Sequence, residues 1–371
     1  MDDRVECAPA DVEGDGFPHI RTFTLPPHGF QPCEGSEREL LAYGLPLRPD
    51  PQTHPVLAKR WDRLAGRRHE FIKPEFKPLP MRRHVDHALV ERRALIDSEL
   101  KRYADKQYEG GRSDQIFDLA HIRQILVKDR ISLDDIRSHI GDIIALLPET
   151  SSNWSGAYVK RPADEPLKTV TGDWTIPGVN PPTDAFGRYV DGTYLAGVWV
   201  GIDGTSGSGD VLQAGTGSQC VVQGGKFVST QFFAWTEWFG LPSVSVANFP
   251  VSVGDQIALT VCAPFNTVHG VALFNNLTTG ATTTIGIDAP SGTTLQGNVA
   301  EWIVEDPTQA SGGQYPFPVY SGTTFTGCTA GTKSHELYAG NGKEIDMVVA
   351  GVTLSTGIIQ GQQTVFCHYG A

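Results

Sequence analysis

Positive charge is scarce in the second part of this chain: residues 151–371 hold only 7 Lys/Arg against 16 Asp/Glu, whereas the shorter stretch 1–150 holds 23 and 26. With a net charge of -12 and no basic stripe, nucleic acid is excluded as a partner, because binding phosphates needs clustered Lys/Arg. No apolar run approaches the roughly 20 residues that span a bilayer, so no membrane partner is expected. The start, Met1-Asp-Asp-Arg-Val-Glu-Cys7, lacks the charged-then-apolar layout of a secretory leader. Six cysteines (Cys7, Cys33, Cys220, Cys262, Cys328, Cys367) show no CxxC spacing, which argues against a zinc site and leaves their pairing open. The nucleophile-elbow, HExxH and P-loop patterns are all missing. After residue 150 the only histidines are His269, His335 and His368, which leaves little for a His-activated nucleophile.

What is present divides near residue 150. Residues 1–80 are rich in proline and histidine and read as loops with one or two short helices. A charged amphipathic helical pattern follows over 84–108 and 115–147, and within the second stretch a capping box at Ser132-Leu-Asp-Asp135 opens a last helix carrying Ile136, Ile140, Ile143 and Ile144 before Pro148. From Asn153 onward the pattern is β throughout, a dozen short Val/Thr/aromatic runs divided by Gly, Pro, Asn and Ser. The expected architecture is an all-β, two-sheet antiparallel sandwich over 151–371, preceded by a mainly helical and irregular region, 1–150.

Four of these runs, at 198–204, 211–215, 233–238 and 300–306, carry chemistry. Alternation places Val198, Val200, Ile202, Leu212, Ala214, Trp302 and Val304 in one row and Trp199, Asp203, Gln213, Trp235, Glu237 and Glu305 in the other. A sheet face of tryptophans, an amide and carboxylates suits a binding cleft. A strand glutamine taken singly is ordinarily a solvated amide, and Asp203, before a glycine, an ordinary turn residue.

The succession Asn153-Trp-Ser-Gly-Ala157, Trp-Val-Gly-Ile-Asp-Gly at 199–204, Leu-Gln-Ala-Gly at 212–215, Ala-Trp-Thr-Glu-Trp at 234–238, Val253-Gly-Asp255, Asn276-Leu-Thr-Thr-Gly280 and Ala-Glu-Trp-Ile-Val-Glu-Asp at 300–306 resembles the glutamic peptidases, or eqolisins. That resemblance implies a lectin-like sandwich that cuts peptide bonds in acid with a Gln/Glu dyad, without metal or other cofactor. It carries the dyad onto Gln213 and Glu305, with Trp154, Trp199, Asp203, Trp235 and Glu237 as walls and supports. Phe239-Gly240-Leu-Pro242 stands where the family places a tyrosine and proline opening a flap. The resemblance also implies a secreted monomer acting on polypeptides and made with an amino-terminal prosegment.

Charge bears on the prosegment independently. With carboxylates protonated and histidines charged, residues 1–150 become densely positive and 151–371 do not, so acid is expected to loosen the first part alone. Two other readings of the tryptophan face compete: a sugar-binding lectin-like module, or a glycosidase using Glu237 and Glu305 as its carboxyl pair. Neither gives Gln213 a role.

Overall fold

The computed structural model describes residues 12–14, 16–79, 81–82, 148–205, 210–263, 268–309 and 313–370. The helices expected at 84–108 and 115–147, with their capping box, lie outside the described residues. The first part contributes strands β1 (Val12–Gly14), β2 (Phe17–Thr22), β3 (Glu70–Phe71), β4 (Phe76–Pro78) and β5 (Met81–Arg82), and helices α1 (Glu37–Ala42) and α2 (Pro55–Ala65).

The second part holds β6 (Glu149–Ser151), β7 (Trp154–Lys160), β8 (Thr169–Thr175), β9 (Val179–Asn180), β10 (Gly192–Asp203), β11 (Val211–Gln223), β12 (Lys226–Trp238) and β13 (Val244–Val246). It continues with β14 (Gln256–Cys262), β15 (His269–Asn276), β16 (Ala281–Asp288), β17 (Val299–Glu305), β18 (Thr308–Gln309), β19 (Val319–Tyr320), β20 (Thr323–Gly331), β21 (Glu336–Tyr338), β22 (Lys343–Val349), β23 (Val352–Ile359) and β24 (Thr364–Tyr369).

Hydrogen bonding runs β13-β12-β11-β10-β17-β7-β22 through one layer and β16-β15-β14-β8-β20-β24 through the other. All these ladders are antiparallel, and β23 joins β22 to β24, closing one side. The interior row predicted from alternation is the observed core: Val198, Val200, Ile202, Leu212, Ala214, Trp302 and Val304 are at most 1% exposed. Gly172 on β8 lets the layers meet, because a Cβ there would lie 2.9 Å from Val200 and 3.1 Å from Trp302. The Trp302 indole donates to the Thr171 carbonyl oxygen at 2.8 Å, so a buried N–H is satisfied across the interface.

One strand escapes the sequence pattern. The run 345–352 has the length and the apolar content of a single strand, but the chain reverses there, with Val349 opposite Val352 and φ of 50° at Ala350 and 80° at Gly351. Two positive φ values make the two-residue turn that matches strand twist, and alanine at the first position hides the usual Asn-Gly signal.

The first part is built onto the sandwich. Ile20 of β2 enters the main core, and β2 and β3 both pair with β16, the edge of the second layer. Strand β4 pairs with β13, the edge of the first, so both exposed edges are covered on that side. Helix α1 carries a reciprocal Ser36/Glu39 capping box, and α2 starts at Pro55 and buries Leu57, Ala58, Leu64 and Ala65. Arg60 and Arg63 of α2 each place a guanidinium nitrogen 2.6 Å from the Asp173 carboxylate on β8. Four cysteines, Cys33, Cys220, Cys328 and Cys367, are free thiols, and Cys262 is disulfide-bonded.

Candidate active site

The outer face of the first layer collects every residue singled out from the sequence. Register places Glu237, Gln213, Gly201, Glu301 and Tyr158 on one cross-strand row over β12, β11, β10, β17 and β7. A second row, two side-chain positions along, holds Phe233, Gly217, Gly197, Glu305 and Trp154; between them lie Trp235, Gly215, Trp199 and Ile303. Pairs on one row are the strongest cross-strand contacts, so this register decides which side chains meet.

Trp199 ties the two rows together. Its indole N–H donates to Glu305 Oε2 at 2.7 Å, while the far edge of the ring lies over Gly201, where a Cβ would be 2.9 Å from it. A side chain at 201 would lift the indole off the strand; glycine lets it lie flat. Trp154 meets Trp199 edge to face at 5.1 Å, and Trp235, Phe233, Phe239 and Leu79 complete an apolar frame.

Gln213 sits inside this frame, fully buried, with neither its amide nitrogen nor its amide oxygen hydrogen-bonded among the described residues. A buried amide without partners is expensive, on the order of 1–3 kcal/mol per group, and marks a place prepared for a ligand or water. Glu237 accepts a hydrogen bond from the Ser243 hydroxyl, which fixes it beside Gln213.

Asp203 has a structural task. At φ 67° it turns its carboxylate to accept from the backbone N–H groups of Gln296 (2.8 Å), Gly297 (2.7 Å) and Asn298 (2.6 Å), clamping the loop that leads into β17. It thereby sets where Glu301 and Glu305 lie. Burial raises its carboxyl above the ordinary value, against the pull of those donors.

Three acids to which the sequence assigned no role share the neighbourhood. Glu301 is fully buried, and burial pushes its carboxyl well above the usual range, with Asp203 and Glu305 adding to the push and Thr205 opposing it. Asp306, next to Glu305, is raised by burial to about 8. Asp210 is raised by burial to about 6, while its Oδ1 accepts from the Trp238 indole at 2.7 Å. Among the described residues no cluster of His, Cys, Asp and Glu has the arrangement of a metal site.

The model of the peptidase A4 family matches residues 152–369, the whole sandwich. The chain belongs to that family. It is 29% identical over 232 residues to aspergillopepsin-2 of Aspergillus niger, covering 57% of this chain and 76% of that protein. It is 27% identical over 224 residues to scytalidopepsin B of Scytalidium lignicola, covering 59% and 78%. Among solved structures it is similar to scytalido-glutamic peptidase bound to a transition state analog inhibitor, with 24% identity, a TM-score of 0.49, and 59% of this chain and 98% of that chain covered. The protein is thus a glutamic peptidase by family, and the face just described lies within the matched domain.

The glycosidase pairing fits the geometry poorly. By register Glu237 and Glu305 stand on strands separated by two others, β11 and β10, about 14 Å of backbone across the sheet, so neither is the other's cross-strand neighbour. A lectin face meets a similar objection, since Trp154, Trp199 and Trp235 are at most 1% exposed and pack into one another's cluster.

Proposed function

We propose that this protein is an acid endopeptidase that hydrolyses polypeptides with Gln213 and Glu305, and that it is made as a zymogen for an acidic space outside the cell. The observation that carries the first half is the buried, unpartnered Gln213 amide on the same face as Glu305, whose Oε2 is anchored by Trp199. Ionised Glu305 takes a proton from water as that water attacks the scissile carbonyl carbon. The Gln213 N–H donates to the developing oxyanion, and protonated Glu305 then delivers its proton to the leaving amine.

The course of the first part supports the zymogen. Strand β4 runs along the β13 edge, Leu79 donates its N–H to the Ser243 carbonyl oxygen at 3.1 Å and packs against the tryptophan cluster, and β5 pairs with β18 just beyond Glu305 and Asp306. The segment therefore reaches both sides of the candidate site. Its anchors weaken in acid. Burial lowers His19 and His69 below the ordinary histidine value, so they resist protonation when docked and take it up when freed. A depressed histidine gives stability that is lost as pH falls below about 6.5.

Acid incubation is expected to convert the chain to a shorter, more active form whose new amino terminus lies before Asn153, read by gel and amino-terminal sequencing. A chain that stays full-length and equally active in acid would refute the zymogen. Asp173→Asn should speed the conversion at any given pH. It leaves Arg60, only 7% exposed, without its counter-charge, a loss of about 3 kcal/mol in docking.

A further inference from the structure

Glu301 is a carboxyl with no part in the proposed reaction, yet it occupies the middle of the site. It shares the Gln213 row across Gly201 and lies four residues before Glu305 on the same face of β17. It is 0% exposed. A Cβ on Gly204 would lie 3.1 Å from Glu301 Oε2 and 3.0 Å from the tip of the Trp154 ring, so the indole and the Asp203–Gly204 turn together seal the carboxyl off. Placing a carboxyl where an aliphatic side chain would pack costs several kcal/mol if it ionises, which calls for a reason.

The groups facing it come from every neighbouring element. From β10 there is Asp203, and Thr205 follows it; from β17 itself, Glu305; from β7, Tyr158, whose hydroxyl donates to Glu149 at 2.8 Å. Across β11 and β12 the same row ends on Gln213 and Glu237. The cations sharing the face by register include Lys160 on the adjacent β7, Lys343 on β22 and Lys77 on β4 at the opposite edge; the Lys160 ammonium lies 5.9 Å over the Tyr158 ring. No ion pair among the described residues involves Glu301. An enclosed carboxyl between two other acids, with no ion pair among the described residues, keeps its proton.

We propose that Glu301 is a positioning residue for the dyad: a neutral carboxylic acid that adds no charge beside Glu305, and whose ionisation shuts the site down as pH rises. This rests on the Gln213/Glu305 reading and adds a second titrating group to it. Glu301 touches no substrate. Once it ionises, a second negative charge stands beside Glu305, in a poorly solvated face, and opposes the oxyanion formed on attack. Its proton goes to solvent, and no bond forms or breaks.

The test is kcat/KM against pH from about 2 to 8, by initial rates on an unfolded protein substrate with the full chain after acid incubation, each profile scaled to its own maximum. Glu301→Gln keeps the size and the hydrogen-bond donor but cannot ionise, so its falling limb should move up by about one pH unit or more. Thr205→Val leaves Glu301 in place and removes the hydroxyl that favours the ionised form, so its limb should also move up, by less. That variant decides the matter should Glu301→Gln fail to fold. A falling limb unmoved in the folded Glu301→Gln variant, or one moved down in Thr205→Val, would overturn the inference. So would a folded Glu301→Gln inactive at every pH. Activity surviving in Glu305→Gln is a different result, because it removes the dyad itself.

Discussion

Glu305→Gln is expected to lower kcat/KM on an unfolded protein substrate by about 10⁴-fold at acid pH, with the fold intact. The substitution preserves size and the hydrogen bond from Trp199 can still be accepted by the amide oxygen, so the frame of Trp154, Trp199 and Trp235 should persist. What disappears is a group able to take a proton from water and return it to the leaving amine, and positioned acid–base catalysis contributes about 10²–10⁴-fold in such reactions. The companion change, Gln213→Ala, should cost about 10²–10³-fold, chiefly in kcat, because it removes one oxyanion donor. It should not destabilise the domain, since the amide makes no hydrogen bond among the described residues. Substantial activity in Glu305→Gln would refute the dyad. A large loss of stability in Gln213→Ala would mean that the amide is structural.

Asp306→Asn should flatten the dependence of stability on pH. Burial raises the Asp306 carboxyl from 3.8 to about 8, and the Glu305 charge pushes the same way. A carboxyl raised in the folded state gives stability that is fully present below the unfolded value near 4 and is lost as pH climbs toward 8. Each tenfold change in acidity corresponds to about 1.4 kcal/mol, so this single group accounts for on the order of 5 kcal/mol between acid and mildly alkaline solution. The neutral amide avoids that loss: the variant should match the parent chain near pH 4 and exceed it by several kcal/mol near pH 8, measured by urea unfolding. Identical pH dependence in the two chains would show that Asp306 is solvated. The slope is opposite in sign to that of His19 and His69, so acid favours the sandwich while loosening the segment docked on it.

Much of this site was legible in the sequence because strand alternation is a local property. Val200 and Trp199 are neighbours in the chain, and a period of two alone assigns one to the core and the other to the candidate face. Glu301 carries the same signal, since it has the parity of Glu305 within Ala300-Glu-Trp-Ile-Val-Glu-Asp306. What sets it apart is its enclosure by Trp154 and the Asp203–Gly204 turn, and no local pattern records that. The pairing of Ala350 and Gly351 in a tight turn was hidden for a different reason, because alanine rarely adopts the positive φ found there.

The sequence by itself determined that the chain is β from Asn153 onward, the two faces of the four strands that carry the candidate site, and a family whose members share those motifs in that order. Only the tertiary structure decided register: that Glu301 rather than Glu305 shares the Gln213 row, that Asp203 clamps residues 296–298, and that β4 and β5 bracket the candidate site. These relations join residues far apart in the chain. They depend on non-local hydrogen bonding and on how deeply each carboxyl is removed from water, and neither can be read from a residue's immediate neighbours.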